Sequence, residues 1–230
     1  MLACSLSTTT PIYPAVPAGA LASDRIDPRP GVLVWFSLSD EPTGKIDLMA
    51  SALHTDSKPV IVCYGDLVTD LVMTVERLPI VAEQVQTIHA ITVEPGGAGN
   101  FLITASRLGA RAVAFGTIGE DAYGQAVYDL LLEEGVDVSY AQRGAGSVNV
   151  LVLVIIDDAG QHVFLVRDGV GDPFVLDARS VALIRRADLF FMPGYALHER
   201  RVAGSAVAAT RTAAEASVPV MNDLGPIVSE

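Results

Sequence analysis

Lysine is nearly missing from this sequence: Lys45 and Lys58 are the only two in 230 residues, and the formal net charge is −12. A nucleic-acid surface needs clustered basic side chains, so no nucleic-acid partner is expected. An anionic ligand would have to be met by a few placed arginines and by backbone N–H groups. Cysteine is equally scarce. Cys4 and Cys63 are too few and too far apart for a disulfide framework or a metal motif, which fits a reducing cytoplasm. Nor does any apolar run reach the ~18–20 residues of a membrane span. The longest, residues 148–156, has the length of a strand, so no membrane partner is expected. What the chain does have is core material. Half of it (50%) is hydrophobic and the mean hydropathy is +0.42. Its length suits one large domain, or one domain with a small accessory element.

The first 57 residues stand apart. Their opening, "MLACSLSTTTPIYPAVPAGALASDRIDPRPG", is rich in Pro, Ser, Thr and Ala and has no sustained period. It lacks the basic start of a secretory signal, since its first basic residue is Arg25. "VLVWFSLSD" (residues 32–40) is its one apolar patch, long enough for a stray strand. Residues 1–57 are expected to be a poorly ordered extension.

From Lys58 onward the pattern is regular. "PVIVCYGD" (59–66) reads as a strand buried on both faces. "EQVQTIHAITVEP" (83–95) is β-rich, with Val85, Thr87, His89, Ile91 and Val93 on one face. "NFLITASRLGA" (100–110) has Phe101, Leu102, Ala105 and Leu108 at helical spacing, with Gly109 to stop it. "RAVAFGTIG" (111–119) is the next buried strand. Asp121 can cap a helix that Gly135 ends. Two apolar runs joined by Asp157-Asp158-Ala159-Gly160 form a hairpin signal over residues 148–169. A helix over 177–187, a strand over 188–194, a helix over 200–217 and a strand over 219–225 follow. Strands alternating with helices predict an α/β fold: a Rossmann-like parallel sheet flanked by helices. The 83–95 strand and the hairpin break that alternation and are expected to form a small inserted β-sheet.

The stretch "VEPGGAGNFLITASRLGA" (93–110) places three glycines in four positions at a strand-to-helix turn, where a ligand can approach the backbone closely. A dinucleotide fingerprint is disfavoured: Gly97 and Gly99 fit, but Leu102 occupies the third glycine position. A lysine-bearing phosphate loop is absent. A turn that needs glycine only for tight packing stays open.

A third reading comes from resemblance. "GGAGN" followed by "TASRLGARAVAFGTIGEDAYG" resembles the N-terminal signature of the ribokinase-like (PfkB-type) carbohydrate kinases, including a G-x-x-G-x-D-x-x-G element at Gly116, Gly119, Asp121 and Gly124. "VCYGDLVTDLVMTVERLP" is similar to the family's opening strand, with Gly65, Asp66 and Asp70 in place. The likeness runs from about Pro59 to Gly225. It implies a ribokinase-like domain over residues 58–230 whose inserted sheet is a lid, with strands at about 71–95 and 147–168. It implies a sugar or nucleoside substrate met by Asp70, Gly96, Gly97, Gly99 and Asn100, whose carboxylate, amide and open backbone suit vicinal hydroxyls. Tyr195, after a strand end, would line the same cleft or simply pack. Arg167 would bind a substrate carboxylate or phosphate, or be a solvated lid-edge residue. The resemblance further implies ATP with Mg²⁺ as cofactors, and a homodimer formed through the lid. Lid closure would exclude water.

The family's second signature, a segment like D-T-x-G-A-G-D that carries the anion hole and the general base, does not occur in these 230 residues. Asn222, with Asp223, is the nearest remnant of a nucleotide contact. The expectation is therefore a truncated member with little or no kinase activity alone, its general base lying beyond Glu230. The alternatives are a non-catalytic sugar-binding or regulatory remnant and, more weakly, a dinucleotide-dependent oxidoreductase.

Overall fold

In the computed structural model, residues 58–197 and 202–223 are described. The expectations for residues 1–57, including the stray strand at 32–40, lie outside the described residues. Along the chain run β1 (Val60–Tyr64), β2 (Thr69–Val75), β3 (Ile88–Pro95), α1 (Ala98–Arg107), β4 (Arg111–Phe115), α2 (Ala122–Glu133), β5 (Leu151–Asp157) and β6 (His162–Arg167). Then follow α3 (Ala178–Ile184), β7 (Leu189–Pro193), a 3-10 turn (Gly194–Leu197), α4 (Ala203–Glu215) and β8 (Val220–Asp223).

Four strands form a parallel body sheet in the order β4-β1-β7-β8. Successive side chains of a strand point to opposite faces, and here both faces are covered. Val62, Tyr64, Val113, Phe115, Phe190 and Met192 pack with Leu183, Ile184, Ala206 and Ala209 of α3 and α4. Cys63, Ala112, Ala114 and Phe191 point the other way, against Leu102 and Ala105 of α1 and Val127 and Leu131 of α2. That double burial is why "VIVCY", "RAVAF" and "LFFMP" read as unbroken apolar runs.

The helices begin and end where the local chemistry dictates. Asp121 caps α2 by accepting from the Gly124 N–H at 2.9 Å, and Asp177 caps α3 through the Ser180 N–H at 2.7 Å. Gly109 and Gly135, both at positive φ, close α1 and α2 with paired backbone bonds back into the last turn. Two expectations are corrected. Leu108 does not join the buried stripe of α1; it is the C-cap residue and is 83% exposed. Helix α1 also begins two residues earlier than its apolar period suggests, so Gly99 and Asn100 lie in its first turn.

The second sheet is mixed, in the order β3-β2-β5-β6, with β2 and β5 parallel and both outer pairs antiparallel. The expected hairpin is present. Asp157 builds its turn: Oδ1 accepts from the Ala159 and Gln161 N–H groups, and Oδ2 accepts from the Leu78 N–H. The expected strand over 83–95 starts only at Ile88. Glu83 holds a positive φ and Val85 is 96% exposed, so the face proposed for Val85 and Thr87 does not exist. β3 is an edge strand and shows no alternation of burial. The strand expected over 148–156 begins at Leu151, and its Val152, Leu153 and Ile156 are only half-buried.

Candidate functional site

The site is built where the two sheets meet. After β1 the chain turns through Gly65–Val68 and enters the lid sheet, which makes Asp70 the second residue of β2. β3 returns antiparallel, pairing Asp70 with Glu94 and Thr69 with Pro95. The Gly96 N–H then donates to the Val68 carbonyl at 2.9 Å, which brings the glycine turn back onto Asp70.

Each glycine of that turn has its own neighbour. A Cβ on Gly96 would overlap the Asp70 carboxyl group, and one on Gly97 would overlap the Tyr195 hydroxyl. A Cβ on Gly99 would come to 2.7 Å from Pro95 Cβ. Gly97 also holds φ +46, a left-handed conformation that suits glycine. The Ala98 N–H, in the first turn of α1, donates to the Tyr195 hydroxyl at 3.1 Å. Asp70, Gly96, Gly97 and Tyr195 therefore come together, while Gly99 is buried against Pro95 and Leu131. Asn100 lies on the exposed side of the same first turn, and its carbonyl accepts from the Thr104 hydroxyl.

The other two sequence candidates lie elsewhere. Arg167 ends β6; its Nη2 donates to Asp121 Oδ2 at 3.2 Å and to the Asn149 carbonyl at 2.9 Å. The guanidinium also lies 5.6 Å from the centre of the Tyr123 ring. It joins the lid to the start of α2. Asn222 is on β8, two strands from β1, and its Oδ1 is buried without a hydrogen-bond partner.

Charge at the site is negative and partly shielded from water. Burial, with Glu94 adding to it, pushes the Asp70 carboxyl up from 3.8 to about 6. At neutral pH it is still mostly ionised. Burial also raises the Tyr195 phenol, and the carboxylates of Asp66 and Asp70 raise it further, so it stays a neutral hydroxyl. An ionised carboxylate and a phenol suit a neutral polyhydroxy ligand. They do not suit a triphosphate, because Glu94, Asp66 and Asp70 would repel it. Among the described residues no cluster of three His, Cys, Asp or Glu side chains could hold a metal. The phosphates of the implied ATP therefore do not fit this turn, and Asn222 Oδ1 alone is too little to cradle them.

Residues that sequence reasoning passed over anchor the site. Asn149 is buried. Its Nδ2 donates to the Leu67 carbonyl, Thr69 Oγ1 and the Val150 carbonyl, while Oδ1 accepts from the Gly119 N–H. Thr69 in turn donates to the Tyr123 carbonyl at 3.0 Å. Thr117 donates to Asp66 at 2.8 Å. The available signal was a lone polar residue inside an apolar run, "SVNVLV", which marks a buried side chain that must find partners. The glycines of the G-x-x-G-x-D-x-x-G element serve the same junction. A Cβ at Gly116, Gly119 or Gly124 would overlap the backbone of Gly65, Asn149 or Gly119 respectively.

A parallel α/β body with a second, inserted sheet, and a glycine turn set against a carboxylate where the two sheets meet, define a class of α/β folds whose ligands are generally met at the strands' C-terminal ends. The chain belongs to the pfkB family carbohydrate kinases, which match it over residues 58–227. It is 24% identical over 178 residues to a probable chloroplastic fructokinase-6 of Arabidopsis thaliana, covering 76% of this chain and 45% of that protein. It is 31% identical over 142 residues to probable fructokinase-3 of the same plant, covering 60% and 40%. Among solved structures it is similar to Arabidopsis thaliana ribokinase complexed with ribose and ATP, with a TM-score of 0.61 at 21% identity, covering 75% of this chain and 55% of that one. Halothermothrix orenii fructokinase gives a TM-score of 0.62 at 20% identity, covering 74% and 61%. The chain spans about half the length of the curated relatives it matches. The expected family and the expected fold class both hold.

Proposed function

We propose that these residues form the acceptor-binding half of a sugar kinase, holding a sugar or nucleoside at Asp70 beneath the lid sheet. The observation that carries this is the Asp70 carboxylate set against Gly96, with the Tyr195 hydroxyl beside Gly97 and no lysine or arginine in the turn. Asp70 accepts hydrogen bonds from two hydroxyls of the ligand, the exposed Gly97 lets it approach the backbone while the buried Gly96 and Gly99 shape the turn, and Asn100 reaches it from the first turn of α1. The reaction served is transfer of the ATP γ-phosphoryl group to a substrate hydroxyl, which depends on positioning and charge stabilisation. Asn222, whose buried Oδ1 has no hydrogen-bond partner, is proposed as a single contact to the nucleotide.

The same residues favour a second reading, sugar binding without catalysis. Asp121, the carboxylate at the start of α2, is committed to the Gly124 N–H and to Arg167, so it is not free to serve as a base. Calorimetry with ribose, fructose and nucleosides, alongside a coupled ATP-consumption assay, separates the two. Binding without turnover supports the acceptor-binding half alone, robust turnover overturns its non-catalytic form, and binding of no sugar or nucleoside overturns both.

The lid is proposed to pair with a second copy. Val163, Phe164, Leu165 and Val166 are all exposed along the edge strand β6, and an apolar edge of this kind needs a cover. The buried free thiol of Cys63 suits a reducing compartment such as the cytoplasm.

A further inference from the structure

Helix α1 starts without a cap from its own segment. Its N-cap residue is Gly97, which has no side chain, and its first turn carries no acidic residue. The Ala98 N–H instead donates at 3.1 Å to Tyr195, which arrives from the 3-10 turn after β7. That turn is held firmly, since Gly194 and Ala196 on either side of Tyr195 are buried. The tyrosine also fills the volume a side chain at position 97 would need: a Cβ there would overlap the hydroxyl and lie 3.0 Å from ring Cζ. One residue further back, Gly96 leaves the same kind of space to the Asp70 carboxyl group. The contacts form a chain from β7 through Tyr195 and Gly97-Gly96 to Asp70.

We propose that Tyr195 is a positioning residue of the Asp70 site, which sets the Gly96-Gly97 turn against the carboxylate by accepting the Ala98 N–H. Its functional consequence rests on the sugar-binding reading above; its structural consequence does not. The phenol is suited to the task because burial keeps it neutral, so the cap does not titrate with Asp70. Without the hydroxyl, the first turn of α1 loses a partner for one of its orphan N–H groups. The glycine turn then gains freedom and water reaches Asp70.

The test compares Tyr195→Phe with Tyr64→Phe in the whole 230-residue chain. Tyr64 is a useful control because its hydroxyl bonds Ser205 and the Val202 carbonyl on the opposite face of the body sheet. In Tyr195→Phe, amide hydrogen exchange at Ala98, read by NMR, should quicken about fivefold, the scale of a lost helix cap. The carboxyl titration of Asp70 should move down from about 6 toward the ordinary carboxylate range. Calorimetry with ribose and fructose should show affinity about tenfold weaker, as expected when a bonded partner is lost at a site. Tyr64→Phe should leave exchange at Ala98 and the Asp70 titration where they are. Unchanged exchange and titration in Tyr195→Phe would overturn the proposal, as would equal shifts in both variants. If the wild-type chain binds no sugar and no nucleoside, the acceptor-binding reading fails on that result, while exchange and titration still decide the role of Tyr195.

Discussion

The two sheets of this molecule are each four strands wide, yet they are stabilised very differently. In the body sheet every interior position of β1, β4 and β7 is closed off by a helix on one face or the other. In the lid sheet both outer strands are open, and all six residues of β6 are exposed. The body draws its stability from buried area; the lid depends on backbone ladders and on a few polar ties at its root. An element with so little buried area is expected to open locally more readily than the frame it stands on.

The contrast can be broken most forcefully in the body. Leu102→Ala, at a fully buried position between α1 and the sheet, should cost about 3–5 kcal/mol in urea unfolding. Leu165→Ala in the lid, half exposed, should cost under about 1 kcal/mol in the same measurement. Comparable losses would show that the lid is as deeply stabilised as the frame.

The next effect is at Asp70. Its folded-state pKa is raised, so between 3.8 and about 6 the folded protein holds a proton that the unfolded chain has released. Stability therefore falls as pH rises through that window, and above it the ionised carboxylate is a net cost. Asp70→Asn should melt about 2–4 °C higher near neutral pH, screening at this half-exposed group keeping the gain small. The gap should narrow as pH falls from about 6 and close below about pH 3, where Asp70 is protonated in both states. The same variant should lose sugar affinity by at least about tenfold, the loss of a charged hydrogen-bond acceptor. A variant that is more stable but blind to ligand would mark Asp70 as held for function.

Smaller changes are expected at the lid. Phe164→Asp places a charge on the exposed β6 face and should convert a dimer to monomer in analytical ultracentrifugation, with the melting temperature within about 2 °C of wild type. A protein that sediments as a monomer before the change removes the proposed dimer. Arg167→Ala cuts the tie between β6 and Asp121, an exposed pair worth less than about 1 kcal/mol. Its trace should be hydrogen exchange in β6 about twofold to threefold faster, with the body strands unaffected.

Legibility in the sequence follows the same division. The body was readable because two-sided burial turns a strand into a continuous apolar run, and because Asp121, Gly109 and Gly135 mark helix limits by local chemistry alone. The lid was less so. β3 carries β-branched residues but gains no burial from them, so residues 83–87, rich in Glu and Gln, looked like strand and are not. At the site, the sequence placed Asp70 near the glycine turn through motif order. It did not show why Gly96 and Gly97 are there, since their neighbours Asp70 and Tyr195 lie far away along the chain. Arg167 illustrates the limit most plainly: nothing in "FLVRDG" indicates that Asp121, forty-six positions earlier, takes its guanidinium. Long-range polar partners leave no local signature.

Asn149 has a mechanical consequence. One carboxamide grips Leu67 and Thr69 on the way into β2 and its own neighbour Val150 on the way into β5, while Gly119 holds it from the frame. The two strands that leave the body share this clamp, beside the ties from Thr69 to Tyr123 and from Arg167 to Asp121, and then run side by side over seven paired positions. The pair leaves no gap along its length, so a ligand cannot reach Asp70 by passing between β2 and β5.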